Sequence, residues 1–299
     1  MSNAPRNPAQ ALEEMTPTQR FFVGMDSDGC VFESMELKQK NCFCPNFIRS
    51  FGLRAISGYA RETWEFVNLY SRSRGCNRYQ AVMRTLDLLR ERPETKASAV
   101  VIPTMDGLRD WLRRETKLGI LALRTEVERG GNADLELVYR WSLAVNEAIE
   151  KMARAVRPYP LVLESLEALR GKADAMVISQ SPFEALKREW EKYGFDRLVR
   201  CIAGQELGAK TGHIALAARR KYPAANILMV GDAPGDLEAA RENGALFYPI
   251  NPGHEEDSWR RFHGEALGRF FEGSFAGAYE SALVREFDGY LPELPHWRS

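Results

Sequence analysis

Two stretches of the chain each set an apolar run directly before paired acids. Phe21-Phe22-Val23-Gly24-Met25 precedes Asp26 and Asp28, and Ile227-Leu228-Met229-Val230 precedes Gly231-Asp232, with Asp236 four residues further on. Solvated turns could carry the first pair, and Asp232 and Asp236 could cap a helix. A buried strand that ends on acids also describes the rim of an α/β active site, because the carboxyl ends of parallel strands share one edge of a sheet. Like charges gathered there repel unless a cation neutralises them, and several carboxylate oxygens with room for water suit Mg²⁺. Motif order and spacing favour this second reading, which makes Asp26, Asp28, Asp232 and Asp236 the candidate metal ligands and Mg²⁺ the expected cofactor.

Two further groups follow apolar runs in the same half of the chain. Ser179 ends Ala175-Met176-Val177-Ile178, where a hydroxyl and backbone N–H groups near a helix start can hold phosphate. Lys210 follows the next run and brings a positive charge to the same rim.

The elements that must position these residues are legible in the hydrophobic pattern. Strands are expected at 20–25, 175–179, 198–204, 226–232 and 245–250, and the last four alternate with amphipathic stretches as in a parallel sheet with crossover helices. Ser181-Pro182-Phe183-Glu184 reads as a capping box with proline at the first helical position, and Gly244 should end the helix that Asp236 opens. Between Glu33 and Arg157 the texture is helix upon helix. Tyr79, Val82, Met83, Leu86 and Leu89 follow one apolar face, and Leu135, Val138, Val145, Ile149 and Met152 another. The sheet domain is therefore discontinuous: residues 1–32 and 158–299 form the core, and 33–157 a helical insertion. There is no internal repeat and no low-complexity segment.

Asp26-Ser27-Asp28-Gly29, Ser179, Lys210 and Gly231-Asp232-Ala233-Pro234-Gly235-Asp236 stand in the order of the four motifs of the haloacid dehalogenase superfamily, which this chain resembles from Phe21 to about Ile250. The resemblance implies a Rossmann-like α/β core with a helical cap domain and Mg²⁺-dependent hydrolysis of a small phosphate monoester. It implies Asp26 as the nucleophile that forms an aspartyl-phosphate and Asp28 as general acid/base. Lys210 and Ser179 would bind the phosphoryl group, Lys210 counting among the catalytic residues, and Asp232 with Asp236 would hold Mg²⁺. A phosphomutase carries the same residues, and a noncatalytic phosphometabolite-binding protein is the alternative of a different class. The second acid points away from dehalogenation, which has no leaving alkoxide to protonate. Ser27 and Cys30 depart from the family's usual apolar residue and threonine.

Other features carry less. Gly204-Gln205-Glu206-Leu207-Gly208-Ala209-Lys210-Thr211 resembles a P-loop but lacks its spacing and the glycine before lysine. Arg72, Arg74 and Arg78 read as a solvated basic cluster, His213 and Ser181 as structural, and Gln180 equally as a polar loop residue and a substrate contact. The helical tail bearing Trp259, Phe262, Leu267, Phe270 and Phe271 should pack on the sheet domain or on a second copy, which leaves a homodimer open.

At 299 residues and 44% hydrophobic content, the chain has material for a large core, and its 41 basic side chains equal its 41 acidic ones. No overall field therefore draws nucleic acid or anionic lipid, and the expected partner is a small phosphorylated metabolite. The N-terminal stretch lacks the pattern of a signal peptide and no apolar run approaches membrane length, so a cytoplasmic protein with its five cysteines reduced is expected.

Overall fold

A computed structural model describes residues 8–152 and 155–298. Five parallel strands form one sheet in the order β3-β2-β1-β4-β5: β1 Phe21–Met25, β2 Ala173–Ile178, β3 Cys201–Ala203, β4 Ile227–Gly231 and β5 Leu246–Pro249. Val23 on the central strand is opposite Ala175 on one side and Leu228 on the other. The fold is the α/β parallel-sheet class that the alternating pattern predicts.

Successive side chains of a strand leave opposite faces, so both faces of β1 must be covered. Phe21 meets Phe270 at 5.0 Å between ring centroids, and Phe22 meets Tyr222 at 5.5 Å. Every residue of β1, β2 and β4 is buried. The tail helices thus pack on the start of the central strand, and Trp259, Phe262, Leu267 and Phe270 are all buried while Phe271 is half-buried.

The edge strand β3 is shorter than the expected 198–204. Phe195–Leu198 coils into a 3-10 turn, and Arg200 reaches out to Asp174. β2 in turn begins two residues earlier than expected, at Ala173-Asp174.

The chain divides into two compact units, one of residues 1–34 and 157–290 and one of 35–156 and 291–299. The second contains the expected helices: Arg78–Glu91 buries Tyr79, Val82, Met83, Leu86 and Leu89, and Ala133–Met152 buries Leu135, Val138 and Val145. Phe47, Trp64 and Trp141 centre its core, with rings 4.7 and 6.0 Å apart. The last segment groups with this unit rather than with the sheet. The Arg92 guanidinium lies over the Trp297 ring at 4.2 Å, and Phe66 meets that ring edge-on, anchors that lie some two hundred positions away in sequence. No helix of the described residues is long and apolar enough to cross a membrane.

Candidate active site

The carboxyl ends of β1 and β4 are adjacent, because Met25 lies opposite Val230, and each strand runs directly into an acid. Asp26 and Asp232 are fully or almost fully buried there. Asp236 comes from the first turn of the helix Pro234–Glu242 and folds back beneath the strand end, where its carboxylate accepts from the backbone N–H groups of Asp232 and Ala233 at 3.2 and 3.1 Å. It therefore caps its helix and faces the site at once. This requires Gly231: a Cβ at that position would run into the Asp236 side chain. Carboxylate oxygens of Asp26, Asp232 and Asp236 lie within 4.8 Å of one another.

Lys210 opens the short helix Lys210–Ile214 and its ammonium bridges two of these acids, 2.6 Å from Asp26 and 2.5 Å from Asp236. Burial alone would lower the Lys210 ammonium, but Asp236 and Asp26 outweigh it and hold the proton well above the ordinary lysine range. Burial pushes the Asp26 carboxyl up to about 6, against the pull of Lys210 and with a further push from Asp236. One ammonium facing three buried carboxylates leaves the cluster anionic when all three ionise. An all-oxygen donor set of that charge suits a hard divalent cation such as Mg²⁺.

Asp28 is not part of this cluster. After Asp26 the backbone turns, with Gly29 at φ 80°, Val31 N and Phe32 N donating to the Ser27 carbonyl, and Gly29 N donating to the Phe32 carbonyl. Of the four carboxylates expected to converge, those of Asp26, Asp232 and Asp236 come within 4.8 Å of one another, and that of Asp28 is not in the group. Instead, Asp28 accepts from the hydroxyl of Ser34 and, at 2.5 Å, from that of Ser181. A carboxylate whose two oxygens are held by two hydroxyls is fixed in orientation while staying at the half-exposed rim.

Ser181 corrects the capping-box expectation. The helix begins at Phe183, whose N–H donates to Glu206 at 3.1 Å, so the Ser181 hydroxyl is spent on Asp28. Ser34 and Ser181 are the residues that sequence reasoning missed in this role. Neither carries a local signal, since their partner lies 6 and 153 positions away.

Ser179 is buried at the end of β2, its N–H on the Ala203 carbonyl and its hydroxyl accepting from Ser181 N at 3.2 Å. Gln180 is exposed and donates to the Gly208 carbonyl at 2.8 Å, which ties the Ser179 loop to the loop that precedes Lys210. His213 is wholly buried, and burial with the nearby Lys210 charge lowers it to about 4, so it is neutral at physiological pH and away from solvent. Cys30 is also wholly buried. Burial first, then Asp232 and Asp26, raise its thiol well above the ordinary range, so it stays protonated. All five cysteines are free.

Fold and site together define an α/β protein with an acidic, lysine-bridged cluster at the carboxyl edge of a parallel sheet. Solved structures similar to it include a haloacid dehalogenase-like family hydrolase from Streptococcus pneumoniae, at 12% identity over 82% of this chain and 92% of that one, with a TM-score of 0.47. A hydrolase from Pseudomonas syringae is similar at 13% identity over 81% and 90% of the two chains, with a TM-score of 0.46. A HAD phosphatase from Thermococcus onnurineus is similar at 14% identity over 77% and 86%, with a TM-score of 0.42. No family model matches the chain, and no curated protein does either.

Proposed function

We propose that the chain is a Mg²⁺-dependent phosphatase that hydrolyses a small phosphate monoester through an aspartyl-phosphate on Asp26. The observation that carries this reading is the buried trio Asp26, Asp232 and Asp236 bridged by one lysine, with a second, hydroxyl-oriented acid two residues after the first.

Each group has a task that its surroundings suit. A carboxylate oxygen of Asp26 forms a bond to phosphorus while the bond from phosphorus to the ester oxygen breaks, which splits one hard hydrolysis into two displacements. Asp28 gives its proton to the leaving alkoxide. It then takes a proton from the water that attacks the phosphoenzyme, as the Asp26–phosphorus bond breaks and inorganic phosphate leaves. The Ser34 and Ser181 hydroxyls hold Asp28 in one orientation for both transfers. Lys210 keeps Asp26 ionised and offsets charge on the phosphoryl oxygens, and Ser179 offers those oxygens a donor. Asp26, Asp232 and Asp236 would hold Mg²⁺, which supplies further charge neutralisation at the phosphoryl group.

The helical insertion follows the Asp26–Asp28 loop directly in sequence, and on that position we assign it substrate selection, the role of a cap. A cytoplasmic location accords with the free cysteines. The test is a screen of phosphorylated metabolites with purified protein and Mg²⁺. Phosphate release without an added bisphosphate supports the reading; no release from any compound overturns it, and release only with a bisphosphate makes the chain a mutase.

A further inference from the structure

Ser27 sits between the two acids, and its hydroxyl is completely buried. It faces away from the carboxylate cluster: the indole N–H of Trp190, in the helix Phe183–Lys192, donates to it at 3.0 Å. A second indole closes the other end of the same loop, where Trp259, in the helix Glu255–Arg261 of the C-terminal extension, donates to the Cys30 carbonyl at 2.8 Å. Trp190 and Trp259 have no exposed surface. The loop's last residue, Phe32, is likewise buried, with the rings of Trp190 and Phe195 5.8 and 6.0 Å from its own.

Each indole has only one donor and each here meets one acceptor of the loop. Residues 27–30 lie beyond the strand ladder, because β1 ends at Met25, and the Cys30 thiol on the Val230 carbonyl of β4 is their side-chain tie to the sheet. The two N–H groups are thus fixed points that reach the loop from elements distant in sequence. A shift of the loop by about 1 Å would break both bonds and misplace Asp26 and Asp28 together.

We infer that Trp190 and Trp259 are positioning residues of the Asp26–Asp28 loop, acting through the Ser27 hydroxyl and the Cys30 carbonyl. The inference rests on the proposed roles of Asp26 and Asp28. It also gives the C-terminal extension a task at the site, and explains the serine between the acids as the acceptor that Trp190 demands.

The test uses the full chain and compares Ser27→Ala, Trp259→Phe and the double variant Ser27→Ala/Trp190→Phe. Amide hydrogen exchange reads the loop directly. Gly29, Val31 and Phe32 should exchange at least about tenfold faster in the single variants while the amides of β2 and β4 keep their protection. With p-nitrophenyl phosphate and Mg²⁺, kcat should fall about ten- to a hundredfold with KM within about threefold. The double variant removes both polar ends of one bond, so its unfolding midpoint should recover while kcat and loop protection do not. Uniform loss of protection across the sheet unit, unchanged loop exchange, or kcat that recovers with stability would overturn the inference. A wild-type protein that turns over no phosphate ester sinks the phosphatase reading instead, and the exchange measurement then decides the inference alone.

Discussion

Asp26, just past the end of β1, and Asp174, near the start of the neighbouring β2, are both buried carboxylates, and they are built in opposite ways. Asp174 stands at the start of β2, where it receives five hydrogen bonds: from the N–H and hydroxyl of Thr18, the N–H of Gln19, a guanidinium N–H of Arg200 and the hydroxyl of Tyr222. Burial opposes its ionisation, but these donors outweigh burial and hold the carboxyl down at about 2. Asp26, at the other end of β1, receives Ser27 N and Lys210 and faces two more acids, and its carboxyl is pushed up to about 6. A saturated acid fastens the fold, whereas an acid left short of positive partners keeps oxygens for chemistry.

The contrast can be broken most sharply by removing each charge in turn. Asp26→Asn should abolish turnover, a loss of at least about 10⁴-fold, because an amide cannot attack phosphorus. Its unfolding free energy above pH 6 should match or exceed that of the wild type, since Lys210 keeps Asp236 as partner. Asp174→Asn should do the reverse, costing about 3 kcal/mol of stability in a urea titration with kcat of the folded protein within a factor of a few. Loss of activity at unchanged stability in Asp174→Asn would erase the distinction.

Lys210→Met comes next in size and should lower kcat/KM at least about a hundredfold, because it removes the positive charge from nucleophile and phosphoryl group together. Turnover near the wild-type rate would move that role to another residue. Chelation with EDTA should stop hydrolysis and added Mg²⁺ restore it. Asp232→Ala should weaken Mg²⁺ binding in calorimetry while leaving the circular dichroism spectrum unchanged; full activity in excess chelator would contradict the metal assignment.

The smallest effect is in the pH dependence of stability, where the two acids have opposite signs. Asp26 titrates at about 6 in the folded chain against an ordinary value of 3.8. The native state therefore binds more protons between those values, and this group's contribution falls as pH rises through that window. The stability advantage of Asp26→Asn over the wild type should grow from about pH 4 to pH 6 and then level off, to about 3 kcal/mol at most. Asp174, depressed to about 2 from 3.8, stabilises fully above 3.8 and loses that contribution as pH falls towards 2. A difference between Asp26→Asn and the wild type that is flat with pH would show that burial does not hold Asp26 up.

The same contrast explains what could be read from the sequence. Asp26 and Asp232 stand where apolar runs end, so strand periodicity carries them to one edge of the sheet; Asp236 reaches the same place from the first turn of the helix that follows, and Lys210 follows from the order of the runs. Asp174 was illegible, because its donors at 18, 19, 200 and 222 are assembled by the fold, and a lone acid at a strand start looks like loop. Ser181 was misread for a related reason. Local capping chemistry offers it a helix to cap, but Glu206 meets that helix start and frees the hydroxyl for Asp28. The role of Ser27 has no local signal either, because the buried indole of Trp190 that partners its hydroxyl lies 163 positions away. Periodicity finds charges at strand ends; the groups that hold them still come from long-range packing.

The most direct measurement is to find where the phosphoryl group goes. Wild-type protein is mixed with Mg²⁺ and a slowly dephosphorylated aryl phosphate, quenched in acid, digested and examined by mass spectrometry. The account predicts a phosphoryl adduct on Asp26 that forms with the kinetics of aryl alcohol release and is missing in Asp26→Asn. An adduct on any other residue, or phosphate release with no protein-bound phosphoryl group at any time, would contradict it.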